Sequence, residues 1–219
     1  MGSRGSSCVV TSSRIFGSLP ISSTFRQFST QYEASNYHTV MNFSQDTWSR
    51  LSNEEREGVY RYTGSWYGDM NTALREGTGT SGRIKSYIDG ATEALKKFRA
   101  AEDVIVYRGA NAHWTANLLG GTESQLQNAR FLRSRIGKTV VDKGFMSTGT
   151  HQDSAWSGIN YTIFVHKGVE GMYVDPVSSN RGEKEFLFNR DVHFVVRQIK
   201  TDSRGRISNL VLEAMYTKH

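Results

Sequence analysis

Along the chain, apolar positions first fall into a helical rhythm near Phe43. Ser52 and Glu55 form the S-x-x-E pattern in which side chain and backbone cap each other, so a helix is predicted to start there. Gly64 interrupts it, and Trp66 to Arg75 reads as a second short helix. The third pattern is the clearest. Ile84, Tyr87, Ile88, Ala91, Leu95 and Phe98 recur three or four positions apart, which puts them on one helix face. Lys85, Lys96 and Lys97 occupy the other, solvated face. Leu126 to Ile136 predicts a fourth helix, stopped by Gly137.

The second half changes character. Short β-rich runs appear at 104–108, 139–141, 161–166, 172–174, 185–188, 192–199 and 207–216, several of them separated by glycine turns. Helices first and strands after predict an α+β fold, with the strands in their own layer or pair of layers. No internal repeat is visible.

The 219 residues give room for one ordinary domain and a tail. A single cysteine excludes a disulfide framework and a multi-cysteine zinc site. No run approaches the roughly 18 apolar residues of a membrane span. Lys and Arg number 27 against 21 acids, a formal net charge of +6. That balance suits a polyanionic partner, whether nucleic acid, anionic membrane or nucleotide phosphate, and distinguishes none of them.

The charge is uneven. No acidic residue precedes Glu33, while Arg4, Arg14 and Arg26 stand among dense serines and threonines. Residues 1–42 therefore read as a disordered leader for targeting or secretion, and 43–219 as the folded domain. Met1-Gly2 with Ser6 fits a myristoylation pattern, and Cys8 offers a second acylation site. An organellar transit peptide, a bacterial secretion leader, a plain tail and a cloning scar fit as well.

Residues 77–82, GTGTSG, match the dinucleotide fingerprint letter for letter. That fingerprint needs a preceding strand, and here a helical stretch precedes it, so the run is read as an interhelix loop. No histidine pair has zinc-ligand spacing, which argues against a metal. Neither a G-x-S-x-G elbow nor a P-loop lysine motif is present.

Three elements remain. Arg108 ends the apolar run VIVYR and is followed by Gly109. A cation at a strand end often only reaches solvent, but arginine offers a planar fork suited to phosphate, and glycine allows close approach of a ligand. Residues 144–150, GFMSTGT, read as a strand end running into a turn. Glu183 and Glu185 sit in EKEFLF, read as one strand, so both carboxylates share a face with Leu187. Two carboxylates about 7 Å apart repel by about 2 kcal/mol at an effective dielectric near 20. A buried strand carries such a pair only with a compensating cation or a task; an exposed strand end with two solvated glutamates is the other reading.

Taken in order, an Arg-Gly strand end, a Ser-Thr turn and a Glu-x-Glu strand resemble the arginine–serine–glutamate class of mono-ADP-ribosyltransferases. Residues 62–75, YTGSWYGDMNTALR, look like a helix of the bacterial toxin and effector members. GFMSTG is similar to the family's Gly-Phe-x-Ser-Thr-Ser, with Gly149 in place of the last serine. The resemblance covers about Phe43 to Tyr216.

It implies a compact α+β fold in which two small sheets form an NAD cleft and N-terminal helices pack around them. It also implies transfer of ADP-ribose from NAD, as substrate, to a protein side chain, with release of nicotinamide. By resemblance, Glu185 holds the ribose hydroxyl and Ser147 holds Glu185. Arg108 binds a phosphate, Gly109 meets the nicotinamide amide, and Asn71 and Arg75 serve the adenosine side. Trp156 covers the nicotinamide. Glu183 implies arginine as the acceptor. The loop 175–182 implies contact with the target protein, and Ser178 or Ser179 supports the second glutamate. The expected protein is a monomeric secreted effector without metal or nucleic acid, with membrane association through Gly2 and Cys8 where these are acylated. An NAD glycohydrolase and a catalytically dead NAD-binding module are the alternatives.

Overall fold

The computed structural model describes residues 12–19, 25–78, 82–154 and 157–215. Strand β1 (Ile15–Gly17) is followed by helices α1 (Gln31–Met41), α2 (Gln45–Ser49) and α3 (Asn53–Arg61). A π-helical turn at Tyr62–Trp66 leads into α4 (Tyr67–Glu76), and α5 (Gly82–Leu95) ends the helical half. Then come β2 (Val104–Ala110), α6 (Ala112–Leu118), a 3-10 turn at Glu123–Gln127 and α7 (Ala129–Arg135). Strands β3 (Thr139–Val141) and β4 (Met146–Gly149) follow, with a second 3-10 turn at Gln152–Ser154. The chain finishes with β5 (Ile159–Val165), β6 (Gly171–Tyr173), β7 (Glu185–Phe188), β8 (His193–Thr201) and β9 (Ile207–Ala214).

Local chemistry accounts for the helical half. The Ser52 amide donates to Glu55 Oε2 at 2.8 Å and the Glu55 amide donates to Ser52 Oγ at 3.2 Å, so the capping box is complete. Gly64 is non-helical (φ −107°, ψ −134°) and turns α3 into α4. Helices α3 and α5 touch backbone to backbone. A Cβ on Gly58 would lie 2.3 Å from the Ala91 nitrogen, and one on Gly90 would lie 2.2 Å from the Glu54 carbonyl oxygen. Tyr87, Ile88, Ala91 and Leu95 of α5 face one core with Val59, Met70, Phe145 and Leu187. A second core joins Phe186 and Phe188 to Val106, Ile163, Leu132 and Phe194.

The strands form one sheet of nine, not two small sheets. Its order is β1-β8-β9-β5-β2-β4-β7-β6, with β3 also on β8. The pair β5–β9 is parallel and the other pairs are antiparallel. A single register pair between β2 and β4, Tyr107 with Gly149, joins the lobe of β4, β7 and β6 to the lobe of the other strands.

The expected leader also contributes to the fold wherever it is described. Strand β1 pairs with β8, placing Ile15 opposite Lys200. The Arg26 amide donates to the Asp103 carbonyl at 2.8 Å. Helix α1, capped by Thr30, buries Ala34 and His38. Only these two of its 11 residues are buried, so no apolar stripe announces it in the sequence. Its anchor is the His38 ring, which meets Phe28, Tyr37, Tyr173 and Phe186. Burial drives the His38 pKa down to about 3, so the ring is neutral. Gly2, Ser6 and Cys8 lie outside the described residues.

Candidate active site

A cleft opens where β2 meets β4. Arg108, half-buried on β2, donates through Nη1 to the Ser147 carbonyl at 2.5 Å and so bridges the lobes. Ser147 faces Leu187 across the β4–β7 pair. Glu185, two residues before Leu187, shares that face. The Ser147 hydroxyl thereby reaches the Glu185 carboxyl as a hydrogen-bond partner. On its other side Ser147 Oγ pairs with the Tyr62 hydroxyl at 3.0 Å.

Glu185 is 7% exposed. Desolvation pushes its pKa from 4.5 up to about 7; the Ser147 hydrogen bond pulls it down, the Glu183 charge pushes it up, and the Arg108 charge pulls it down. The same burial, with the Glu185 charge nearby, raises the Tyr62 phenol to about 12.

Glu183 is not on the strand. Strand β7 begins at Glu185, and Lys184 before it has φ +55°, a left-handed conformation that breaks the alternation expected for 183–188. Asp175 holds this turn: its Oδ1 accepts the Gly182 amide at 2.8 Å and the Lys184 amide at 3.0 Å. Glu183 is therefore exposed, yet it lines the same cleft as Glu185. Its carboxyl is raised by partial burial and by the Asp175 charge. The loop 175–182 is tied to the π turn, where the Ser179 amide donates to Thr63 Oγ1 at 3.2 Å. Ser178 is buried and its hydroxyl accepts the Asn180 amide at 2.9 Å, so it shapes this loop.

Helix α4 supplies Asn71 and Arg75, one turn apart on one face. Asn71 Nδ2 donates to the Tyr62 hydroxyl at 3.1 Å, and Asn71 Oδ1 accepts the Phe145 amide at 2.9 Å. Arg75 is bidentate on Asp142, at 2.8 and 2.7 Å, and its guanidinium lies 4.7 Å over the Trp114 ring. Gly144 makes room for both: a Cβ there would stand 2.6 Å from Asn71 Oδ1 and 3.0 Å from Arg75 Nε. Gly109 lies in the cleft wall. Gly149 has a physical reason to be glycine, because a Cβ would come within 2.5 Å of Ser154 Cβ and 2.8 Å of the Ser154 backbone. Trp156 lies outside the described residues.

The cleft holds about 420 Å³ between Tyr62, Asn71, Arg75, Arg108 and the two glutamates. An adjoining cavity of about 380 Å³ continues past Trp114 and Asp142. Both volumes fall in the range of small-molecule sites, roughly 300–1,000 Å³. Sequence reasoning missed Tyr62, Trp114 and Asp142 as site residues. Tyr62 opens the quoted YTG run, but only the fold shows its hydroxyl between Asn71 and Ser147. Helix α4 ends at Glu76, so a helix directly precedes the glycine run at 77–82, of which residues 79–81 lie outside the described residues. Among the described residues, no group of three or more His, Cys, Asp or Glu could hold a metal ion.

Residues 40–219 match the family model of the ADP-ribosyltransferase exoenzymes. The chain belongs to the ADP-ribosyltransferase exoenzyme family. Within it, the chain is 29% identical over 156 residues to the NAD(+)–arginine ADP-ribosyltransferase EFV of Enterococcus faecalis, covering 69% of this chain and 30% of that protein. It is 31% identical over 153 residues to secreted exoenzyme S of Pseudomonas aeruginosa, again 69% and 30%. The chain thus spans about a third of the length of these relatives. In three dimensions it resembles C3stau2 of S. aureus, solved with NAD, at a TM-score of 0.69 and 18% identity, over 88% of this chain and 99% of that one. The family fold is α+β, with N-terminal helices and one mixed sheet, as found here.

Proposed function

We propose that this exoenzyme-family chain is a mono-ADP-ribosyltransferase that moves ADP-ribose from NAD to an arginine of a target protein and releases nicotinamide. The observation that carries the reading is the asymmetry of the two carboxylates: Glu185 buried at the bottom of the cleft, Glu183 exposed at its mouth. The matched stretches of the arginine ADP-ribosyltransferase EFV and of secreted exoenzyme S support it. The residues fit NAD. A diphosphate needs cations, and both Arg75 and Arg108 line the cleft.

In this reading Arg108 and Arg75 hold the diphosphate, with Asn71 on the adenosine side and Gly109 against the nicotinamide amide. Glu185, oriented by Ser147, accepts a hydrogen bond from the nicotinamide ribose and faces the positive charge that develops at its C1 carbon. The C1–nitrogen bond breaks with its electron pair going to nicotinamide, which leaves neutral. Glu183 pairs with the acceptor guanidinium and takes its proton as the new C1–nitrogen bond forms. The loop 175–182 meets the target, and the protein acts as a monomer secreted into a host cell, acylated at Gly2 or Cys8 where those sites are used.

The test is a division of labour, read with NAD labelled in the ADP-ribose. Glu183→Gln keeps the shape and removes the charge, so labelling of arginine stops while free ADP-ribose is still released slowly. Glu185→Gln loses both. Near wild-type arginine labelling by Glu183→Gln would overturn the assignment, as would equal loss of hydrolysis in the two variants.

A further inference from the structure

At the far end of the sheet from the cleft, three segments meet: residues 12–19 with β1, residues 124–141 with α7 and β3, and residues 192–201 with β8. None of the three contains an aspartate or glutamate. They carry Arg14, Arg130, Arg133, Arg135, Lys138 and Lys200, and none of these six makes a salt bridge among the described residues. The seventh cation, Arg197, is neutralised by Glu213. Of the carboxylates at the margins, Asp142 is paired with Arg75, Asp191 with Arg190 and Asp202 with Arg206, while the exposed Glu123 stands 3.6 Å from the His113 ring. The three segments together hold seven cations and no carboxylate, against a formal net charge of +6 for the whole chain.

The same edge exposes aliphatic side chains. Ile15 is 62% exposed and Leu19 52%. Phe16 between them turns inward under the Arg133 guanidinium, 5.6 Å from its ring. Arg14, Ile15, Arg133 and Ile136 surround one open hollow. Cations held around exposed aliphatic groups are what an anionic bilayer rewards: the charges meet the headgroups while the aliphatic groups enter the acyl boundary. A nucleic-acid surface would gain nothing from Ile15 and Leu19, since phosphates need only the cations and bases stack on rings.

We propose that this edge, built from β1, α7 and the start of β3, docks the protein on an anionic phospholipid bilayer. Strand β8 is three strand spacings from β2, about 14 Å, so a docked molecule keeps its cleft open to NAD and to a target protein. The inference stands on this surface alone and does not depend on acylation or on the transferase reading.

The test is co-sedimentation of the unacylated full-length chain with vesicles of phosphatidylcholine alone or mixed with phosphatidylserine, at low and high salt. Binding is expected only with phosphatidylserine, falling as salt screens the cations. Arg14→Glu, Arg133→Glu and Lys138→Glu together should weaken it at least about tenfold, with an unchanged far-UV circular dichroism spectrum and urea midpoint as the readout of an intact fold. If that variant does not fold, Arg133→Gln with Lys138→Gln is used, and a several-fold loss is expected. Ile15→Ser with Leu19→Ser should remove the binding that survives high salt. Equal binding to neutral vesicles, binding indifferent to the charge changes, or tighter binding to a DNA duplex than to phosphatidylserine vesicles would each overturn the proposal.

Discussion

Glu185→Gln should stabilise the protein, and only above a defined pH. The Glu185 carboxyl titrates at about 7 in the folded chain and near 4.5 when unfolded. A folded pKa above the unfolded one means that the folded state binds more protons between those values. Stability is then full below about 4.5 and is lost as pH rises through about 7. At about 1.4 kcal/mol per tenfold change in the protonation equilibrium, ionised Glu185 costs the fold about 3 kcal/mol at pH 8. At pH 5 the difference is below about 1 kcal/mol. Glutamine keeps the volume and the acceptor oxygen toward Ser147 without the charge. Urea unfolding of both proteins at pH 5 and pH 8 is the assay. The gap in favour of Glu185→Gln should widen by about 2 kcal/mol between the two pH values. An unchanged gap would mean that the buried carboxyl is not held against its charge, and the reasoning from desolvation would fail.

Two further substitutions probe the cation side of the cleft. Arg108→Lys removes the planar fork that joins β2 to the Ser147 carbonyl, so kcat/KM for NAD hydrolysis should fall by about 10–100-fold; an unchanged value excludes Arg108 from the cleft's chemistry. Asp142→Asn leaves only one acceptor for the two bonds from Arg75, so Arg75 loses its fixed orientation. The KM for NAD should rise about tenfold while kcat stays within about threefold, and an unaltered KM would show that the Asp142 clamp does not position Arg75 for NAD.

Much of the architecture can be read from the pattern of residues. The α5 stripe and the strand 139–141 lie where the repeat of a buried face places them; the helix start at Ser52 is given by its capping pattern, and the strand 185–188, buried at every position, by its unbroken apolar run after Glu185. Helix α1 is hidden for the opposite reason: it buries so little that no stripe forms. Strand β4 is hidden because Met-Ser-Thr-Gly carries the composition of a turn, although its Thr148 hydroxyl donates to the Phe186 carbonyl at 2.6 Å inside the sheet. The candidate site was legible as a set of residue types and only partly as geometry. Alternation along EKEFLF correctly separates Leu187 from Phe186 and Phe188, yet it misplaces Glu183. One left-handed residue, Lys184, lifts that carboxylate out of the strand, and a Lys between two Glu gives no sign of it.

The single rung between β2 and β4 explains how a carboxylate can be buried and still be reached by a ligand. A fully paired sheet would close over Glu185 with main-chain hydrogen bonds. Here Tyr107 and Gly149 form the only register pair between those strands, and Ser154 packs so closely on Gly149 that no side chain fits there. Beyond that point a side chain takes over from the backbone, with Arg108 donating to the Ser147 carbonyl across the gap. Arg108 and Gly109 then line one wall of the cleft, with Ser147 and Glu185 on the other. The packed core around Leu187 lies next to Glu185 in the strand and desolvates it. The break in the sheet is therefore what allows one position to combine a raised carboxyl pKa with an open approach for the substrate.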